Sequence, residues 1–111
     1  GVLYVLNQGG RTVQKLVDST LQTVLASESL PADLRFEARR MFVTKEEVIY
    51  VSDSRRWTNR ILRINPADSL QPSVVGRFPT DLKPQSLQDL FVTEGGTIYV
   101  PDTAEDMVLV I

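Results

Sequence analysis

The chain has 111 residues, the usual size of one domain, and 42% of them are hydrophobic, which is enough for a packed core. It carries 12 Lys and Arg against 14 Asp and Glu, so its formal charge of −2 gives no global basic field for nucleic acid and no acidic tail. It contains no Cys and no His, which excludes disulfides, thiol nucleophiles, Cys/His zinc sites and an imidazole general base.

The predicted elements are short β-strands. About a quarter of the residues are Val, Ile or Thr, which favour strands, and short apolar stretches alternate with polar, Gly, Pro or Asp turns. Ten candidate strands follow in chain order: 3–6, 12–17, 22–26, 39–44, 48–53, 60–64, 73–76, 89–93, 97–102 and 107–111. Residues 35–41 predict a single helical turn at most, because no helical periodicity extends through them.

No segment predicts a membrane span. The longest apolar run, 107–111, has five residues, whereas a span needs about 20, so we expect a soluble chain. The sequence begins with Gly1 rather than Met and has no charged leader, so we expect a cut, processed or engineered N-terminus rather than a targeting segment. Nothing in the sequence indicates a cellular compartment.

The chain repeats itself. Residues 42–54 (FVTKEEVIYVSDS) recur as 91–103 (FVTEGGTIYVPDT), and a third copy survives as 3–7 (LYVLN), which aligns with 49–53 (IYVSD). The strand that follows each Asp or Asn recurs as well, at 12–16, 60–64 and 107–111. A period of about 46 to 50 residues that holds four strands is typical of a propeller blade.

The blocks FVTKEEVIYVSDS…NRILRI and FVTEGGTIYVPDT…MVLVI resemble NHL repeats. The resemblance covers nearly the whole chain and implies an all-β fold, a β-propeller whose blades are four-stranded antiparallel sheets in a ring of about six. It leaves the activity open, because similar propellers include protein-binding modules, RNA-binding modules and lactonase-like or lyase-like enzymes.

We therefore predict a single propeller segment over 1–111 that forms an incomplete ring. With strands named a to d outward from the propeller centre, it holds strands b–d of one blade (about 2–26), a whole blade (about 38–76) and strands a–c of another (about 89–111). Three blades do not close a ring, and unpaired edges need cover. The chain is thus expected to be a fragment of a longer propeller, or a half-ring completed by a second copy or another polypeptide.

Three recurrent residues, Asn7, Asp53 and Asp102, each follow strand b. Their side chains are suited to accept hydrogen bonds from the turn backbone, so we predict a structural capping role. The gluconolactonase-like propellers that this family resembles hold a metal ion with Glu, Asn and Asp, and Asp53 and Asp102 offer oxygen ligands of that kind. The Glu ligand has no match in this sequence, so we assign no metal and no cofactor.

The hairpin between strands b and c of the middle blade, 54–59, is two residues longer than its counterparts. It contains Arg55, Arg56 and the only Trp, Trp57, with Arg60 just beyond. Trp and Arg are enriched where binding energy concentrates, so we predict a binding site for protein or RNA. The alternative is that Trp57 folds over a neighbouring blade while the arginines are solvated.

The middle blade is basic. Residues 35–63 carry eight Arg and Lys against four Asp and Glu. In propellers the d-to-a and b-to-c connections lie on one face, which would bring Arg35 together with Arg55 and Arg56, and with Arg39 or Arg40. Such a rim would suit RNA or an acidic protein surface.

Catalysis has little support, because no nucleophile, phosphate-binding or dinucleotide motif occurs and the His ligands of the lyase-like relatives are absent. We predict no catalytic residue. The leading hypothesis is a non-catalytic protein-interaction or structural module, a subunit of a larger assembly. The alternatives are a metal-dependent lactonase-type hydrolase and an RNA-binding module.

Overall fold

The computed structural model describes residues 2–53, 60–77, 89–102 and 107–110. Within these ranges the chain forms ten β-strands and two single 3₁₀ turns, Ser27–Ser29 and Ala32–Leu34. The strands are β1 (Leu3–Asn7), β2 (Thr12–Val17), β3 (Thr20–Ala26), β4 (Ala38–Val43), β5 (Ile49–Asp53), β6 (Arg60–Asn65), β7 (Ser69–Arg77), β8 (Phe91–Val92), β9 (Ile98–Asp102) and β10 (Met107–Val110). None of the described helical turns is long and apolar enough to cross a bilayer.

The strands form three sheets in chain order. The first sheet is β1-β2-β3, the middle sheet is β4-β5-β6-β7, and the third sheet is β8-β9-β10. Every pairing between neighbouring strands is antiparallel. The predicted all-β antiparallel class is therefore confirmed.

Local turn chemistry explains the hairpins. Asp18 and Ser19 join β2 to β3 as a two-residue loop, and both have positive φ, 48° and 66°. Positive φ at both positions is the signature of the type I′ turn, whose twist matches that of the paired strands. Asp is one of the residues that tolerate this backbone region, so the sequence supports the turn.

The middle sheet is covered on both faces, as the alternation of side chains along a strand allows. Ile49 and Val51 of β5 point into one apolar cluster, which we call the first core, and Tyr50 points into another, the second core. All five residues of β5 are buried. The first core lies between the first and middle sheets and contains Val13, Leu25, Leu30, Phe36, Ala38, Ile49, Val51, Leu62 and Ile64. The second core lies between the middle and third sheets and contains Val48, Tyr50, Ile61, Leu90, Val92, Ile98 and Val100.

A close backbone contact joins the first sheet to the middle sheet. Gly10, in the β1–β2 turn, accepts a hydrogen bond on its carbonyl oxygen from the backbone N–H of Ala38 at 2.7 Å. Gly10 has a φ of 83°, and a Cβ atom at this position would clash with the carbonyl oxygen of Ala38. Only glycine combines this φ with such a close approach, so the turn sequence fixes how β4 meets the first sheet.

Candidate functional site

The register of the strands that the repeat aligns gives equivalent positions in the three sheets. The last residue of the earlier strand is paired with the first residue of the later one: Asn7 with Thr12, Asp53 with Arg60, and Asp102 with Met107. Only the middle sheet has opposite charges at this position. The site that follows from this pair lies where β5 ends and β6 begins.

Asp53 and Arg60 form a buried ion pair. The Nε–H of Arg60 donates to Oδ2 of Asp53 at 2.8 Å, and both side chains are almost fully buried. The other carboxylate oxygen, Oδ1, accepts a hydrogen bond from the backbone N–H of Glu37 at 3.0 Å. Because buried charges are costly unless paired and hydrogen-bonded, these contacts are what allow the pair to remain in the interior.

The two Nη atoms of the Arg60 guanidinium donate hydrogen bonds to the segment that leads into β4. Nη1 donates to the carbonyl oxygen of Asp33 at 2.8 Å, and Nη2 donates to the carbonyl oxygen of Arg35 at 3.1 Å. We call Asp53, Arg60 and their backbone partners in residues 33–37 the arginine clasp. The planar guanidinium, with donors in a fixed fork, ties two strand ends and one connection together.

The predicted basic rim is only partly described. Arg55, Arg56 and Trp57 lie outside the described residues, so their role stays a prediction. Arg35 is exposed, and its Nε–H donates to the carbonyl oxygen of Leu30 at 3.1 Å. Arg60, which the sequence predicted as a binding residue beside Trp57, is 5% exposed, because its guanidinium is held in the arginine clasp. Of the other residues predicted for this rim, Arg39 is exposed and Arg40 is partly buried.

The predicted turn-capping residues have different surroundings. Asn7 accepts a hydrogen bond on Oδ1 from the backbone N–H of Gln8 at 2.8 Å, and its Nδ2 donates to Gln14 Oε1 at 2.9 Å. Asp53 contacts the Glu37 backbone and Arg60, as described above. The backbone of Asp102 ends β9, and its side chain lies outside the described residues.

A tyrosine–carboxylate contact bridges the first and middle sheets. The hydroxyl of Tyr4 donates to Glu47 Oε1 at 2.6 Å. Burial of the phenol raises the pKa of Tyr4 to about 12, and the hydrogen bond and negative charge of Glu47 act in the same direction. The sequence pattern gives no sign of this contact, because Tyr4 and Glu47 are far apart in the chain and only the stacking of the sheets brings them together.

A groove opens between the middle and third sheets, beside the β4–β5 and β8–β9 turns. Its volume is about 730 Å³, and its lining includes Phe42, Tyr50, Arg63, Val92 and Glu94. The lining carries both charge signs and apolar side chains. This mixture selects no particular ligand chemistry.

The outer face of the first sheet carries an exposed apolar row. We call it the head face and define it by Leu3, Leu16 and Leu21, which are paired across β1, β2 and β3 in one row. All three leucines are exposed, and Leu3 is 58% exposed. Sequence patterning alone did not reveal this face, since the same apolar positions are buried in the middle sheet.

The outer face of the third sheet is apolar as well. We call it the tail face and define it by Tyr99, Val108 and Val110, all of them exposed. Tyr99 and Val110 are paired across β9 and β10, and Val108 lies two residues from Val110 on the same side. Phe91 is paired with Tyr99 and is exposed too, but its ring contacts that of Phe42 of the middle sheet edge to face, with the centroids 5.1 Å apart. Large exposed apolar surfaces on a folded chain are typical of interaction sites.

Within the described ranges, no three acidic side chains lie close enough together to hold a metal ion. Asp53, one of the two oxygen donors raised by the sequence, already accepts hydrogen bonds on both carboxylate oxygens. An ion at Asp53 would therefore compete for these oxygens with the Arg60 guanidinium and the Glu37 backbone N–H.

The comparisons with known proteins do not identify a family. A scan against protein-family models gives no match for this chain, and a search of curated proteins gives none either.

Proposed function

We propose that this chain is a segment of an NHL-like β-propeller and serves as a non-catalytic interaction or structural module. In the functional assembly, its head and tail faces are covered by further β-sheet, which a second copy or another polypeptide supplies. The proposal agrees with the resemblance of the repeated blocks to NHL repeats and with their occurrence in three successive antiparallel sheets.

One observation carries the proposal: equivalent repeat positions are buried where a neighbouring sheet lies against them and exposed where none does. Ile49 is fully buried, whereas the equivalent Leu3 is 58% exposed. Ile61 is fully buried, whereas the equivalent Val108 is 56% exposed. The exposed positions carry apolar residues as well, which supports a missing neighbour at both faces.

The experiment is a measurement of solution mass together with stability. Sedimentation equilibrium on the purified chain gives the mass, and urea unfolding at several protein concentrations shows whether stability depends on assembly. We expect a mass above that of one chain, or an unstable monomer that becomes stable when a partner covers its faces. A monomer that is stably folded without any partner would overturn the proposal.

The hydrolase and RNA-binding alternatives stay predictions, and no described contact favours either of them. Calorimetry with Ca²⁺ tests the first, and binding of single-stranded RNA at several salt concentrations tests the second. Tight binding of either ligand by the folded chain would replace the non-catalytic module as the best-supported function.

A further inference from the structure

The two outer faces are related to the two interfaces that the chain already contains. In the first core, the side of the first sheet that bears Tyr4 and Val13 packs against the side of the middle sheet that bears Ile49 and Ile64. The contact joins a side that bears a Tyr to a side that bears an Ile. We call these the tyrosine side and the isoleucine side of a sheet.

The second core repeats this arrangement one sheet further along. Tyr50 and Ile61 are the repeat equivalents of Tyr4 and Val13, and their side of the middle sheet packs against Ile98 of the third sheet. Ile98 is in turn the equivalent of Ile49. The tyrosine side of one sheet therefore meets the isoleucine side of the next sheet at both interfaces.

The same equivalences classify the outer faces. Tyr99 and Val108 match Tyr50 and Ile61, so the tail face is a free tyrosine side. Leu3 and Leu16 match Ile49 and Ile64, so the head face is a free isoleucine side, with Leu in place of Ile. Each chain therefore offers both halves of the contact that it forms twice internally.

We propose that two copies of this chain associate head to tail, with the tail face of one copy packed on the head face of the other. This inference rests on the proposed function and names its partner as a second copy. The contact would continue the stacking of sheets beyond the third sheet. Such a contact joins two different surfaces. Two copies form a closed dimer if the head face and the tail face of each copy are both covered by the other copy; otherwise the contact continues into longer assemblies.

Two single substitutions test the pairing of faces. Leu16→Glu places a charge on the head face, and Val108→Glu places one on the tail face; both side chains are exposed in the single chain. Each variant alone should weaken self-association at least about tenfold, because a carboxylate would be buried against apolar side chains. The matched control is Leu70→Glu, an exposed leucine of β7 that lies on neither face. Circular dichroism establishes that each variant keeps its sheet content.

The equimolar mixture of the two variants is the decisive sample. The head face of the Val108→Glu copy and the tail face of the Leu16→Glu copy are both intact, so one contact can form. We expect sedimentation equilibrium to show at least about tenfold tighter association in the mixture than in either variant alone.

Other patterns overturn the inference and leave the proposed function intact. Association that survives Leu16→Glu indicates tail-to-tail contact, and association that survives Val108→Glu indicates head-to-head contact. Loss in both variants without recovery in the mixture also excludes head-to-tail contact. A monomeric wild-type chain overturns the inference too, and the proposed function falls with it only if that monomer is stably folded.

Discussion

Replacing Arg60 with Met tests whether the arginine clasp stabilises the fold. The substitution keeps an unbranched side chain in the interior but removes the partner of a carboxylate that is almost fully buried. It also leaves the carbonyl oxygens of Asp33 and Arg35 without the donors that now reach them at 2.8 and 3.1 Å. Removing one partner of a buried ion pair typically costs about 3–5 kcal/mol, because an uncompensated buried charge remains.

A loss of this size is a large fraction of the roughly 5–15 kcal/mol that stabilises a typical domain. For about 100 residues it corresponds to a fall in Tm of at least about 12 °C, at about 4 °C per kcal/mol. Urea unfolding of Arg60→Met, followed by far-ultraviolet circular dichroism at one fixed protein concentration, measures the change. Fixed concentration matters because association would add to the apparent stability.

The control is the exposed pair Lys45–Glu94, whose atoms lie 3.8 Å apart. Lys45→Met should change the free energy of unfolding by less than about 1 kcal/mol, because water screens exposed ion pairs. Combining Asp53→Leu with Arg60→Met should cost less than the sum of the two single changes, since the double variant leaves no lone buried charge. The reasoning is refuted if Arg60→Met destabilises the chain no more than Lys45→Met.

Three further predictions concern contacts between the first and middle sheets. Gly10→Ala should destabilise the chain by at least about 1 kcal/mol more than Gly9→Ala, as measured by urea unfolding. Both glycines have positive φ, but only a Cβ atom at Gly10 would clash with Ala38. Because the folded-state pKa of Tyr4 is raised to about 12 from 10.0, the contribution of its neutral hydroxyl to stability should be full below pH 10 and be lost between pH 10 and 12. A titration followed by phenolate absorbance should show that Glu47→Gln lowers this pKa. Glu47→Gly relieves a φ of 63° but removes the hydrogen bond from Tyr4. It should therefore stabilise a Tyr4→Phe variant by about 1 kcal/mol and leave the stability of the wild-type chain nearly unchanged, and a double-mutant cycle measures the difference.

The strands could be predicted from the sequence because their information is local. Each described strand overlaps a segment chosen for its apolar and β-branched residues, and Asp18 and Ser19 mark a tight turn between two of them. The alignment of 3–7 with 49–53 also places Asn7 and Asp53 at one register position, opposite the first residue of the next strand. Local patterning and repeat spacing therefore carried the all-β antiparallel class.

The surroundings of the candidate residues could not be predicted in the same way. Arg60 stands close to Trp57 in the sequence and was predicted with it as a binding residue, yet its guanidinium reaches the carbonyl oxygens of residues 33 and 35. Those acceptors lie 27 and 25 positions earlier in the chain, and only the stacking of the connection beside β6 brings them to the arginine. The one available signal in the sequence was the charge of Arg60, because the equivalent positions of the other two sheets hold Thr12 and Met107.

The turn between β4 and β5 and the turn between β8 and β9 share a hydrogen bond and a positive φ but differ in the residue that has this φ. In 44–48 and in 93–97, a Thr side-chain oxygen accepts a hydrogen bond from the backbone N–H four residues later, at 3.1 Å in both copies. The residue just before that N–H has positive φ in each copy, 63° at Glu47 and 88° at Gly96. Gly96 occupies this region without strain, whereas Glu47 does so at a cost of about 1–2 kcal/mol. Glu47 is also the residue that accepts the hydrogen bond from Tyr4 across the sheet interface. The strained residue therefore stands where its side chain joins two sheets, which indicates that stacking of successive sheets, and not turn formation, determines the residue at this position.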